Sequence, residues 1–103
     1  MVDKIEILFK NGIFKEKSYI ILPIKNVCYI NNDCYSISEE LITKMLDILA
    51  TWKYEYGSDN SIDKEEFKVI VYSNSKKTIY HGKGIYPFNY HELLEILGGL
   101  QNG

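Results

Sequence analysis

Residues 4–12 read Lys-Ile-Glu-Ile-Leu-Phe-Lys-Asn-Gly, and the fold class follows from this stretch. Ile5, Ile7 and Phe9 alternate with Lys4, Glu6 and Lys10, a period of two that turns one row inward and the other outward along a strand. Asn11-Gly12 accepts the two positive φ angles of a type I′ turn, so Ile13–Leu22 should return as an antiparallel second strand, ended by Pro23. A third strand is expected over Asn26–Ile30, a turn at Asn31-Asn32-Asp33, and a short fourth strand from Cys34 to Ile37.

Downstream the period changes. Ser36 or Ser38 offers a side-chain oxygen to orphan amides, and Glu39 and Glu40 suit the positive end of a helix dipole. Leu41, Ile42, Met45, Leu46, Ile48, Leu49, Trp52 and Tyr56 share one helical face, which predicts a helix over 39–56 closed by Gly57. Ser58–Glu66 is polar and reads as a connector. Phe67, Val69 and Val71 start a further strand, Asn74-Ser75-Lys76-Lys77 a hairpin turn, and Thr78–His81 the return, broken at Gly82-Lys83-Gly84. Asn89 fits a helix N-cap, with Glu92 completing a capping box and Phe88 stapling onto Leu93. Tyr90, Leu93, Leu94 and Leu97 line the inner face of that last helix, and Gly98-Gly99 end it.

The order is ββββαββα. It predicts one two-layer α+β domain over 1–103, with an antiparallel sheet of five or six strands and two helices packed on one face. At 103 residues and 46% apolar content, the chain has room for a single core and enough apolar surface to form it.

Charge and composition narrow the function. Twelve lysines stand against fourteen acids for a net charge of −2, and the chain contains no arginine. Without the planar guanidinium fork, and without a basic stretch lacking neighbouring acids, nucleic-acid binding is disfavoured. The longest unbroken apolar run, Tyr19–Ile24, falls far short of the roughly 20 residues a spanning helix needs, so no membrane is expected. Asp3 and Glu6 interrupt any secretory apolar segment, and the expected location is cytoplasmic. Cys28 and Cys34 straddle a turn, where a cross-strand disulfide is conceivable but two reduced thiols suit that compartment better. The richness in isoleucine, lysine, tyrosine and asparagine is associated with AT-rich coding, as in low-GC bacteria and their phages.

No metal, cofactor or catalytic constellation is expected. His81 and His91 lack partners at ligand spacing. Asp59, Ser61, Asp63 and Glu65 begin like a calcium loop, but Lys64 and Ile70 occupy the positions that need glycine and a bidentate glutamate. Gly82-Lys83-Gly84 is the alternative site, with backbone amides and a lysine that could bind an anion, nucleotide or other small ligand, although the P-loop pattern is missing. The aromatic residues favour the main expectation, a non-catalytic protein-interaction module of inhibitor, immunity or anti-defence type that occludes a protein or protein complex. On the helical wheel Tyr54 falls among polar residues, so Tyr54, Glu40, Asp47, Thr51 and Glu55 form an acidic aromatic face, with Tyr86 as a second anchor. The chain could act as a monomer or a homodimer.

Overall fold

β1 (Val2–Asn11) is the strand around which the sheet is assembled. The computed structural model describes residues 1–11, 16–58 and 64–102. On one side β1 pairs antiparallel with β2 (Lys17–Leu22), then β3 (Val27–Ile30) and β4 (Asp33–Ser36) in a meander. On the other side it pairs antiparallel with β6 (Glu65–Ser73), which hairpins into β7 (Lys76–Lys83). A further strand, β5 (Glu55–Ser58), lies parallel to β7 at the edge, so the order is β4-β3-β2-β1-β6-β7-β5. The α+β class holds, and the sheet has seven strands where the sequence reading counted five or six.

The turns at Asn31-Asn32 and Asn74-Ser75 both use two consecutive positive φ angles, as short antiparallel hairpins require. The turn expected at Asn11-Gly12 involves residues 12–15, which lie outside the described residues.

Cross-strand registers give the sheet two chemically distinct faces. Ile21, Ile5 and Val71 share one transverse row, and Tyr19, Ile7, Val69 and Tyr80 share the next. Phe9, Phe67 and Gly82 make the third row on this inner face. The two helices supply the second layer. α1 (Glu39–Leu49) is capped by the Ser38 hydroxyl, which accepts from the Leu41 amide at 3.1 Å, and it buries Ile42, Met45, Ile48 and Leu49. α2 (Tyr90–Asn102) buries Tyr90, Leu93, Ile96, Leu97 and Leu100 against the same core. Leu94, expected on that inner face, is partly exposed, and Ile96 takes the inward place.

The largest departure from the sequence reading is the end of α1. The helix stops at Leu49, with Thr51 and Trp52 amides donating to the Ile48 and Leu49 carbonyls in a final tight turn. The chain then extends, so Gly57, at φ +82, belongs to β5 and does not cap a helix. The wheel was misled for a simple reason. Trp52 and Tyr56 are four residues apart, a spacing that keeps two side chains on one side of a helix and of a strand alike. The second departure concerns α2, which runs through Gly98-Gly99 to Asn102.

Candidate functional site

Two segments, 51–57 and 82–90, run side by side at the β7 end of the sheet and converge on Trp52. The indole N–H donates to Asn89 Oδ1 at 2.7 Å, and Asn89 Nδ2 donates to Thr51 Oγ1 at 3.0 Å. The Thr51 hydroxyl in turn donates to the Ile48 carbonyl at 2.7 Å, so an unbroken chain of hydrogen bonds joins the last turn of α1 to the start of α2. Asn89 is buried, and its side-chain amide serves this link while Phe88, expected to staple the helix, is 81% exposed. A buried indole N–H without such an acceptor would cost about 1–3 kcal/mol, which accounts for an asparagine in the core.

Around Trp52 the aromatic rings pack mostly edge to face. Its ring centroid lies 5.5 Å from that of Phe67, 6.1 Å from Tyr80 and 6.4 Å from Tyr56, at interplanar angles of 72°, 89° and 81°. Tyr86 stacks on Tyr90 at 4.7 Å, and its hydroxyl donates to the Glu65 carbonyl at 2.8 Å. The Tyr90 hydroxyl donates to the Glu65 carboxylate, and burial first, then this bond, pushes its phenol well above the ordinary tyrosine range. Tyr80 is raised in the same direction, by burial and then by the neighbouring Tyr54.

On this base sit three large apolar side chains turned to solvent: Tyr54 at 68%, Ile85 at 48% and Phe88 at 81% exposure. They are supported from below. The Tyr54 ring leans on Tyr80 at 5.7 Å, and its carbonyl accepts from the His81 amide at 3.0 Å. A Cβ built on Gly57 would lie 3.5 Å from Ile85 Cδ1, and Phe88 directly precedes the anchored Asn89.

The residues expected to share one helical face are divided. Glu40 and Asp47 are exposed on α1, whereas Thr51, Tyr54 and Glu55 lie beyond its end, Glu55 on β5 opposite His81. Glu40 lies in the first turn of α1 and Asp47 in its last turn, so the acids do not form one helical face with Tyr54. Tyr86 is half-buried and packs beneath the strip. The sequence signal for Ile85 and Phe88 as anchors is faint, an apolar pair flanking Tyr86-Pro87 after a glycine break.

The Gly82-Lys83-Gly84 string has a packing explanation. A Cβ at Gly82 would come within 2.8 Å of Phe67 and of Tyr56 Cβ and 2.9 Å of the Ile85 carbonyl oxygen. Gly84 takes φ +75, and its amide already donates to the Glu65 carbonyl at 3.2 Å, which withdraws it from an anion cradle. Asp59, Ser61 and Asp63 lie outside the described residues, and Glu65 is committed to Tyr90. Among the described residues, no group of three or more histidines, cysteines or carboxylates could hold a metal ion. Cys28 faces the core opposite Tyr35 while Cys34 stands exposed opposite Tyr29, so the two thiols occupy opposite faces of adjacent strands and cannot pair there. Burial, then the neighbouring Cys34, pushes the Cys28 thiol up to about 11.

No helix is long and apolar enough to cross a membrane among the described residues. No protein-family model, curated protein or solved structure matches the chain.

Proposed function

We propose that this chain is a non-catalytic protein-binding module that occludes a macromolecular partner by seating Tyr54, Ile85 and Phe88 in its surface. The observation that carries the reading is that three exposed apolar side chains stand on the two segments tied together by the Trp52–Asn89 bond, which we read as one strip. Interfaces take most of their energy from a few large side chains that are rigid before contact, because less freedom is then lost on binding. The hydrogen-bonded ring cluster under the strip supplies that rigidity. Asp47 in the last turn of α1 and Glu55 beside Tyr54 supply carboxylates, with Lys53 between them in sequence, so a partner rim that carries basic groups suits this end of the molecule. An inhibitor or immunity-type role is one form such occlusion takes. The separated thiols of Cys28 and Cys34 fit a reducing cytoplasmic setting.

Affinity capture from lysate, with wild type beside Tyr54→Ala, Phe88→Ala and Asp47→Lys, tests the reading. A captured protein should be lost from both aromatic variants, with affinity falling at least about tenfold for each while their melting temperatures stay at the wild-type value. Equal recovery by both would overturn it.

A further inference from the structure

The sheet face turned away from the helices carries its own pattern. The registers place Tyr29, Ile20, Glu6, Ile70 and Ile79 in one transverse row across β3, β2, β1, β6 and β7. Leu8 follows two residues along β1, opposite Ser18 and Lys68. Ile20 and Tyr29 are each 37% exposed, and Leu8, Ile70 and Ile79 are half-buried with no layer above them among the described residues. Glu6, Leu8, Ser18, Ile20, Lys68 and Ile70 line a shallow depression of about 290 Å³.

The single acid in this row is already compensated. The Lys4 ammonium lies 3.1 Å from the Glu6 carboxylate, which also accepts from the Tyr72 hydroxyl at 3.2 Å. Lysines stand on both sides of the row: Lys4 and Lys77 share the register of Tyr72 on one side, with Lys68 and then Lys10 and Lys83 on the other. Glu66 stands between Lys10 and Lys83, Glu55 lies beside His81 in the Lys68 register, and the Lys10 ammonium is 3.6 Å from the Glu16 carboxylate, so the cations next to the row are Lys4, Lys68 and Lys77. The helix side is the reverse, with Glu39, Glu40, Asp47, Glu92 and Glu95 exposed against Lys44 and His91. A net charge of −2 therefore conceals an aliphatic row flanked by lysines on the sheet face and an acidic helical face.

We propose that the open sheet face is a second docking surface, which binds an acidic amphipathic helix of a protein partner. The helix's apolar stripe would lie along the isoleucine row, with carboxylates reaching the lysines on either side. Four inter-strand gaps of about 4.8 Å make the row about 19 Å long, the length of a helix of about 13 residues. A polynucleotide fits less well. The Tyr72 ring is covered by the Lys4 ammonium at 4.6 Å and approached by Lys77 at 5.9 Å, which leaves little of it for base stacking; Tyr29 offers one partly exposed ring at the end of the row, and the isoleucines between offer no stacking surface. A second copy presenting α1 fits less well too, because the outward Glu40, Thr43, Lys44 and Asp47 bring acid but no apolar stripe.

The surface is independent of the Tyr54 strip, and a synthetic peptide tests it. The probe is an 18-residue helix with leucines at i, i+3, i+4 and i+7 spacing and glutamates flanking them; its controls are the same peptide with lysines for glutamates and a scrambled glutamate peptide. Titration into isotopically labelled protein should shift amide resonances of Leu8, Ile20, Ile70 and Ile79, with affinity falling as salt is raised. Lys68→Glu with Lys77→Glu should weaken binding about tenfold. Ile20→Ser with Ile70→Ser should abolish the shifts without unfolding the sheet, and Tyr54→Ala should leave them unchanged. The proposal is overturned if the lysine or scrambled peptide binds equally well, if the shifts fall outside this face, if a single-stranded oligonucleotide produces them in place of the glutamate peptide, or if they arise from self-association of the protein alone.

Discussion

The two halves of the sheet are stabilised by different means. In the β2–β3–β4 half, consecutive hairpins pack aliphatic side chains: Ile21, Cys28, Ile30 and Ile37 meet Ile42 and Met45 of α1 in one buried cluster. In the β6–β7–β5 half, Trp52, Tyr56, Phe67, Tyr80, Tyr86 and Tyr90 come together from four separate segments, and side-chain hydrogen bonds fix their positions. Aliphatic packing tolerates adjustment, whereas a polar link inside a ring cluster does not, because one missing partner leaves a buried donor bare. Local pairing therefore builds one half, and distant contacts complete the other.

The largest effect should come from the centre of the aromatic half. Trp52→Ala is expected to cost about 3–5 kcal/mol in urea unfolding, against about 1 kcal/mol for Ile42→Val in the aliphatic half. Similar losses at the two sites would erase the distinction. Gly82→Ala should follow at about 2–3 kcal/mol, because its Cβ meets Tyr56, Phe67 and a backbone carbonyl at once. Asn89→Ala isolates the polar link and should cost about 1–3 kcal/mol, with a change in Trp52 fluorescence, while an unchanged midpoint would mean that the bond is dispensable.

The aliphatic half contains its own titrating group. Cys28 keeps its proton up to about 11 when folded, against 9.0 as the ordinary value, so the stability its burial confers is complete below pH 9 and is lost as pH rises toward 11. At pH 8 a thiol reagent should modify Cys34 quickly and Cys28 only on unfolding; two fast thiols would show that this half opens readily. The smallest effects belong to α2. A Cβ at Gly98 or Gly99 meets nothing within 4 Å, so Gly98→Ala and Gly99→Ala should each raise stability by about 0.5–1 kcal/mol.

The candidate surface was legible in part. Tyr54 was identifiable as an exposed aromatic, yet for a different reason from the one its helical position suggested: it lies on an extended segment against Tyr80. Phe88 looked like a helix staple because local spacing describes its neighbours in sequence and not Trp52, which holds the adjacent Asn89 from thirty-seven residues away. The lysine-flanked isoleucine row could not be read at all, since it is made by the register of five strands, each contributing one residue.

Alternation, turn residues and a serine cap are local properties of backbone and side chain, and by themselves they determined the hairpins, the start of α1 and the layered α+β class. Where α1 ends, why β5 joins the edge, and which surfaces gather apolar and charged groups were decided only in the tertiary structure. Those outcomes turn on which distant groups can bury a ring or satisfy a donor together, and no spacing along the chain records that.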